Sequence, residues 1–285
     1  MKSTLDKIRL GIGVLLTGAT LTLSYVYIEA HRLSEQTYDV PLSPFETAAP
    51  TPELVAEGER LARIRGCFWC HGESLEGQKY FADPERGVLV IAPNLPRKAQ
   101  QYSDAEFARA IRQGVRPDGT SVWPAMPAFA YYHLDDADLN AIIAYIRSLP
   151  VQKGLQGKRR LWPTGWFRVL AKDLPPNVAD LVDHDQPRME SGSADDPVAR
   201  GAYLAETVCT ECHSDNGRLR VPISPDLGIV RAYSEEQFFA LMRKGTALNE
   251  RKIDYHMVDV SKYRYFAMTE DEVAALYAFF TRPLD

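Results

Sequence analysis

Two short motifs carry the clearest chemistry in this sequence. They are "CFWCH", Cys67–His71, and "CTECH", Cys209–His213, and they hold all four cysteines of the 285 residues. In a C-x-x-C-H motif the two thiols can bond to the two vinyl groups of one porphyrin, and the adjacent histidine can bind its iron. The motifs therefore predict two covalently bound haem c groups. The predicted attachment residues are Cys67, Cys70, Cys209 and Cys212, and the predicted proximal ligands are His71 and His213.

Two other uses of these cysteines are possible in principle. A zinc site built from both pairs would join residues 142 positions apart, and a redox-active dithiol also uses C-x-x-C spacing. Two such pentapeptides occur in a chain that has no other cysteine and that begins with an export-type segment. Covalent haem attachment in bacteria is completed outside the cytoplasmic membrane, so this combination favours haem.

The chain contains an internal repeat. "YSDAEFARAIRQG", Tyr102–Gly114, matches "YSEEQFFALMRKG", Tyr233–Gly245, with an offset of 131 residues. Upstream, "APNL" matches "SPDL", and the segments from Leu134 and Met268 match with an offset of 134. A middle helix is predicted in each copy, opened by Tyr102-Ser103 or Tyr233-Ser234 and ended by Gly114 or Gly245, and the segments from Leu134 and Met268 predict a last helix. The chain is therefore predicted to contain two copies of one domain, each with one haem motif.

Both copies are predicted to be helical. In the last segment of the first copy, apolar residues recur at i, i+3, i+4 and i+7, which places them on one face of a helix. These residues are Leu139, Ile142, Ile143 and Ile146. In the second copy, Thr269 and Glu272 have the spacing of a capping box at a helix start. No long segment alternates as a strand would, so the predicted fold class is all-α.

A methionine is the expected sixth iron ligand in each copy. Met126 lies in the proline-flanked loop "WPAMPAF" and is the only methionine after the first motif in its copy. Adding the offset of 131 to Met126 gives Met257, which is the prediction for the second copy.

Three other residues near this position compete with Met257. Met242 falls on Ile111, and Met268 falls on Leu134, both of which are packing positions in the first copy. His256 is the immediate neighbour of the ligand position. It remains the alternative ligand because the second copy lacks the proline that follows Met126.

The N-terminus is predicted to be a membrane anchor. Leu10–Ile28 carries no charge, and its 19 residues would span roughly 28 Å as a helix. The basic residues Lys2, Lys7 and Arg9 precede this span and predict a cytoplasmic N-terminus. A cleaved signal peptide is the alternative, but Glu29–Arg32 is a poor cleavage site and the apolar segment is long for a signal peptide. Residues 10–28 are thus expected to contact lipid in a bacterial inner membrane, with both haem motifs in the periplasm.

Both copies resemble class I cytochrome c domains of the kind found in bacterial membrane-bound dihaem cytochromes c. The motifs that carry the resemblance are "CFWCH…APNL…MP" and "CTECH…SPDL…M", each followed by a final helix. The resemblance implies an all-α fold around haem, with histidine and methionine as iron ligands. It also implies that the carbonyls of Pro93 and Pro225 accept hydrogen bonds from the proximal histidines. In this family a small residue on the first helix contacts an aromatic residue on the last helix. The resemblance implies this contact between Gly58 and Tyr145 in the first copy and between Gly201 and Phe279 in the second.

These inferences divide the chain into five segments. The predicted organisation is an anchor at 1–32, a tether at 33–51, cytochrome c domain 1 at 52–150, an interdomain linker at 151–196 and cytochrome c domain 2 at 197–285. The linker contains six basic residues and three aromatic residues between Lys153 and Lys172, without an acidic residue. Two interpretations stay open for it: docking on an anionic membrane or partner surface, or packing between the haem domains with arginines near haem propionates. We expect the second.

The predicted function is electron transfer. The net charge of −5 has no basic excess that would indicate nucleic acid binding. Iron with two protein ligands has no open position, so no small-molecule substrate is expected at the haems. We expect a membrane-tethered electron carrier, not an enzyme, between respiratory or photosynthetic partners on the periplasmic face. The alternatives are a permanent subunit of a dehydrogenase or oxidase complex and, less well supported, a dihaem peroxidase-like enzyme.

Overall fold

The computed structural model describes residues 3–213 and 224–283. Predictions that concern residues 1–2, 214–223 and 284–285 lie outside this range. The described part is mostly helical, with one small sheet. Its α-helices are α1 Thr4–Ser34, α2 Pro52–Ile64, α3 Cys67–His71, α4 Leu95–Gln101, α5 Asp104–Arg112, α6 Ala128–Tyr131, α7 Asp136–Ser148, α8 Pro163–Leu170, α9 Pro197–Leu204, α10 Thr210–His213, α11 Glu235–Lys244, α12 Tyr255–Tyr263 and α13 Glu270–Thr281.

The predicted helix ends in the repeat are present. Ser103 and Ser234 cap the first turns of α5 and α11, and each forms a capping box with the side chain three positions further on. Thr269 forms the predicted capping box with Glu272 at the start of α13. Beyond α11, Gly245 has a φ of 70°, a left-handed conformation that glycine adopts at low cost. Local sequence signals therefore determine where these helices begin and end.

The same close helix crossing occurs in both repeats. α2 packs against α7, and α9 packs against α13. A Cβ on Gly58 would overlap the Ala141 carbonyl and lie 2.8 Å from Cβ of Tyr145. At the equivalent place, a Cβ on Gly201 would lie 2.7 Å from Cβ of Phe279. Both predicted helix contacts are thus observed, and each requires glycine because the facing backbone is too near for a side chain.

A three-stranded antiparallel sheet is present that an all-α fold does not include. Its strands are β1 Lys79–Asp83, β2 Val88–Ile91 and β3 Lys158–Leu161, in the order β1-β2-β3. Strand β3 comes from the predicted linker and pairs with β2, with Leu89 opposite Arg160. Strands this short show little alternation, and the sequence "KRRL" of β3 is mostly basic. The prediction of a purely helical fold was wrong in this respect.

Within the described residues, α1 is the one helix long and apolar enough to cross a membrane. Its 31 residues extend beyond the predicted span at both ends. Most of the helix is exposed, while Val26, Ala30 and Ser34 near its C-terminal end are buried against the rest of the protein. An anchor and a signal sequence both satisfy this length and composition.

The predicted tether lies along the first repeat. Leu33 and Ser34 still belong to α1. Further on, the Tyr38 amide donates to Gly119 O at 2.9 Å, and the Thr47 amide donates to a carboxylate oxygen of Asp104 at 2.6 Å. These hydrogen bonds hold the segment against the protein surface, so it is not a free spacer.

The basic and aromatic half of the linker packs differently from the expectation. It does not lie between the two repeats, because β3 joins the sheet of the first repeat and α8 packs on α1. The rings of Trp166 and Tyr27 meet edge to face with centroids 5.0 Å apart. Arg159 donates to Ser34 O at 2.6 Å, and Asn177 donates to Leu33 O at 2.7 Å. The linker therefore joins the end of α1 to the first repeat.

Two hydrophobic cores underlie the two repeats. The first is built mainly on α2 and α7, with Leu61, Leu139 and Ile143 among its buried side chains. The second is built mainly on α9 and α13, and it includes Leu204 and Leu276. Ile64, at the end of α2, is buried in the second core. The two repeats therefore pack directly against one another.

Candidate haem sites

The first C-x-x-C-H motif borders a cavity in the first repeat. The cavity is lined by Cys70 and His71 from α3 and by Met126 from the loop before α6. A smaller adjoining cavity shares these three residues and adds Cys67. Apolar side chains, including Leu95, Phe107 and Ile111, line both cavities. The structure thus brings together both predicted attachment cysteines and both predicted iron ligands of the first copy.

The orientation of His71 suits metal binding. Its Nδ1 donates a hydrogen bond to the carbonyl of Pro93 at 2.8 Å, which leaves Nε2 with a free lone pair. The side chain is buried, and burial lowers the pKa of His71 to about 4, with the hydrogen bond to Pro93 acting in the opposite direction. The imidazole is therefore neutral at physiological pH, as an iron ligand must be.

The four cysteines are free thiols in this structure. Burial raises the pKa of Cys67 to about 11 and that of Cys70 to about 12. Burial likewise raises the pKa of Cys209 to about 12 and that of Cys212 to about 11. A redox-active dithiol needs a thiol whose pKa is lowered toward neutrality, so these environments do not fit that use.

Met126 is held by a tight turn. Its amide donates to Trp123 O at 2.8 Å, and its carbonyl accepts from the Ala128 amide at 2.8 Å. Pro127 then begins α6. Met126 is partly buried and contacts the first hydrophobic core. This turn fixes the backbone on both sides of the predicted ligand while its side chain lines the cavity.

Two partly buried arginines at the cavity were not singled out individually from the sequence. Arg116 and Arg159 both line it, together with Lys158. Burial lowers the pKa of both arginines, and for Arg159 the neighbouring Arg116 lowers the pKa further, to about 10. Neither arginine forms an ion pair with any residue of the described part of the chain. Partly buried cations without an ion pair suit an anionic ligand, and haem carries two propionates.

The residues of the first cavity therefore fit haem c. They supply two thiols, a neutral imidazole, a thioether and two arginines without an ion pair around an apolar space. Arg159 of the linker lines this cavity, and its place beside a haem propionate stays a prediction. Nothing in the local sequence around Arg116 distinguishes it from a surface arginine.

The second motif repeats part of this geometry. Nδ1 of His213 donates to the carbonyl of Pro225 at 2.9 Å, which matches the bond between His71 and Pro93. Cys209 ends a π-helical turn, and Cys212 lies in α10. The loop at 214–223, which follows the motif, lies outside the described residues. The second cavity is therefore not described.

The candidate sixth ligands of the second repeat occupy different environments. Met242 and Met268 are each only 3% exposed and belong to the second core. The side chain of His256 is 56% exposed and bonds to Asp254 at 2.6 Å. Met257 is partly buried against the second core, within α12. Unlike Met126, it lies in a helix and not in a turn before proline. Met257 remains the predicted sixth iron ligand of the second repeat.

The match to a known family covers the first repeat. Residues 55–150 match the family described as "Cytochrome c". This region contains the first C-x-x-C-H motif, the helix crossing at Gly58 and Met126. The first repeat is therefore a cytochrome c domain, and it implies covalently bound haem c.

Several characterised proteins are similar to longer parts of the chain. An alcohol dehydrogenase (quinone) cytochrome c subunit from Gluconobacter oxydans is 30% identical over 181 residues, which cover 58% of this chain and 36% of the relative. A fructose dehydrogenase cytochrome subunit from Gluconobacter japonicus is 26% identical over 241 residues, which cover 74% of this chain and 49% of the relative. A "diheme cytochrome c-type" protein from Cereibacter sphaeroides is 26% identical over 196 residues, covering 59% and 62%.

The match covers 36% of the length of the alcohol dehydrogenase subunit and 49% of the length of the fructose dehydrogenase subunit. Those relatives are cytochrome c subunits of oxidoreductases. Their names agree with the expectation of an electron carrier in place of an enzyme.

Proposed function

We propose that this chain is a dihaem c-type protein that transfers single electrons at the periplasmic face of a bacterial inner membrane. The observation that carries the proposal is the first cavity, which Cys70, His71 and Met126 line together. Iron bound between histidine and methionine has both axial positions filled by protein. Bound haem supplies one-electron redox chemistry, and the residues of this chain set its ligands, its polarity and its position.

The second repeat supports a second haem. It has the same motif, the same histidine–proline hydrogen bond and the same glycine-dependent helix crossing as the first. The similarity to a protein named as a dihaem cytochrome c points in the same direction. We propose Cys209 and Cys212 as attachment residues and His213 and Met257 as iron ligands.

The haem content tests this proposal directly. The purified protein is expected to contain two haems per chain in a pyridine haemochrome assay. Replacing Cys67 and Cys70 together with alanine should leave one haem, and replacing Cys209 and Cys212 should leave the other. The dihaem proposal would be contradicted if the unsubstituted protein contained only one haem and the protein without Cys209 and Cys212 still contained that haem.

A subunit of a larger dehydrogenase is the form of this function that the relatives favour. The alcohol, fructose and gluconate dehydrogenase relatives are all named as cytochrome subunits of a dehydrogenase. We propose the same arrangement for this protein, in place of an independent carrier. Its partner would then be a dehydrogenase subunit that reduces the haems.

Membrane attachment is part of the proposal. Helix α1 has the length and composition of a membrane span, and Lys7 and Arg9 near its start favour the cytoplasmic side. At the other end, α8 packs on α1 and carries Trp166 and Phe167 beside basic residues. Aromatic and basic side chains of this kind favour the interface of an anionic membrane.

Membranes that contain the protein test its placement and its assembly together. In sealed inside-out vesicles, both haem domains should resist protease, since they lie in the lumen, and they should become sensitive once detergent is added. After solubilisation in mild detergent, a larger dehydrogenase subunit should copurify in stoichiometric amount. Digestion without detergent would contradict the orientation, and purification as a lone chain would favour an independent carrier.

A further inference from the structure

One buried arginine contacts both haem-attachment segments. Arg264 follows α12 and is only 6% exposed. Its Nε donates to the carbonyl of Ile64 at 3.1 Å, and its Nη1 pairs with Glu211 at 2.9 Å. Ile64 stands three residues before the first cysteine of one motif, and Glu211 lies inside the other motif. A single guanidinium therefore bridges the two motifs.

The chain leaves room for this contact at Gly66. A Cβ at this position would lie 2.7 Å from Cζ of Arg264, and φ of Gly66 is 74°, a conformation that favours glycine. Gly66 is also the residue directly before Cys67. Arg264 thus lies against the backbone at the start of the first motif, where a side chain would displace it.

Glu211 extends the contact in the other direction. Although it belongs to the second motif, Glu211 lines the smaller cavity of the first repeat together with Cys67, Cys70 and Met126. The acid of one attachment segment therefore reaches the predicted haem site of the other. This places both members of the Arg264–Glu211 pair beside the first site and in contact with the second motif.

The charge of Arg264 acts on both motifs. Burial lowers the pKa of Arg264, but Glu211, Tyr265 and Tyr131 together raise it above its usual value, so the guanidinium is charged. This charge lies against Gly66 at the start of the first motif and pairs with Glu211 inside the second motif. Nη2 of Arg264 is buried and has no hydrogen-bond acceptor within residues 3–213 and 224–283.

Neighbouring buried contacts hold this arrangement in place. Arg65 is 1% exposed and pairs with Asp138 at 2.6 Å, and Tyr203 of α9 donates to the same carboxylate at 2.8 Å. These three side chains join the first repeat to the second directly beside the Arg264–Glu211 pair. These contacts therefore hold the two attachment segments next to each other.

We propose that the Arg264–Glu211 pair is an electrostatic control element shared by both haems, in which Arg264 favours their reduced form and Glu211 their oxidised form. The inference rests on the proposed dihaem function. With haem bound, a donor subunit would supply one electron to a ferric iron, and an acceptor would take the same electron away. Reduction removes one unit of positive charge, so a nearby cation raises the reduction potential and a nearby anion lowers it.

The size of the effect follows from Coulomb's law. At about 10 Å and an effective dielectric constant of about 20, one unit charge changes the ferric–ferrous equilibrium roughly tenfold. This is large enough to be resolved for each haem in a spectroelectrochemical titration of the full-length protein. Removing the charge of Arg264 and removing the charge of Glu211 should shift the reduction potentials in opposite directions. A purely structural role of the pair would not produce opposite shifts.

The experiment compares four variants in the fully loaded protein. Arg264→Gln should shift both potentials to lower values, and Glu211→Gln, which keeps the shape of the side chain, should shift them to higher values. Arg264→Lys keeps the charge and should restore most of the wild-type potentials. Arg60→Gln is the matched control, because Arg60 forms the ion pair with Glu272 across the same interface at 2.7 Å without contacting either motif. Its potentials should match the wild type.

The outcomes separate the two levels of the proposal. Two haems per chain with opposite shifts in Arg264→Gln and Glu211→Gln would support the control element. Two haems with unshifted potentials, or shifts of the same sign in both variants, would overturn it and leave the dihaem function standing. If Arg264→Gln does not fold, the test rests on Glu211→Gln: higher potentials would support the control element, and unchanged or lower potentials would overturn it. One haem per chain would overturn both the function and this inference.

Discussion

Replacing Met126 with alanine is expected to remove the methionine-to-iron charge-transfer band of one haem in the oxidised protein and to lower that haem's reduction potential. The thioether is lost from the cavity that His71 also lines, so one axial position becomes free for water or another ligand. Axial ligands set haem potentials over a range of about 0.8 V, so the shift should be a sizeable part of that range. Optical spectroscopy and redox titration of the full-length protein measure both effects.

The second haem provides the comparison. Met257→Ala should remove the corresponding band of the other haem, whereas Met268→Ala should leave both bands in place, since Met268 is buried in the second core. His256→Ala should also leave them, because its side chain is exposed and bonds to Asp254. Loss of a band in Met268→Ala or His256→Ala would show that the repeat register assigns the wrong ligand.

Replacing Gly58 with alanine is expected to destabilise the first repeat strongly. In a helix interior this substitution normally stabilises by about 1 kcal/mol, because alanine has the higher helix propensity. At Gly58 the added methyl group would overlap the Ala141 carbonyl of the facing helix. Overpacking of this kind costs typically about 1–3 kcal/mol, and more where backbone must move, so we expect a net loss of about 2 kcal/mol.

Thermal unfolding followed by circular dichroism and haem absorbance measures this loss. The apparent midpoint of the first repeat should fall by about 10 °C. Ala56→Ser is the matched control, because Ala56 is exposed on the same helix and its replacement should change stability by less than about 0.5 kcal/mol. Gly201→Ala should reproduce the effect in the second repeat. An unchanged or higher midpoint in Gly58→Ala would refute the close crossing.

Most of the first haem site could be predicted because its signals are local. The two thiols and the histidine must stand at fixed spacing on one helical turn to reach one porphyrin, and that spacing is visible in any sequence that has it. Helix starts at Ser103, Ser234 and Thr269 were equally local, since a capping box involves residues three positions apart. The position of Met126 came from the scarcity of methionine, and that of Met257 came from the repeat.

The sheet and the course of the linker could not be predicted in the same way. Strand β3 is mostly basic and pairs with β2, far away in the chain. Its hydrogen bonds and the packing of α8 on α1 depend on where the first repeat places its surface. The basic residues of the linker were visible in the sequence, but their position beside the haem cavity and the end of α1 was not.

Arg264 is the clearest example of a residue whose role could not be predicted from the sequence. It lies 200 residues from Ile64, whose carbonyl it contacts, and its partner Glu211 occupies a variable position of the second motif. Covalent haem attachment depends on neighbours within one turn, so residue types and spacing are sufficient to predict it. The charge that both attachment segments share depends on how the two helical repeats pack against each other. That packing is the sum of many weak, non-local contacts, and it exists only in the assembled fold.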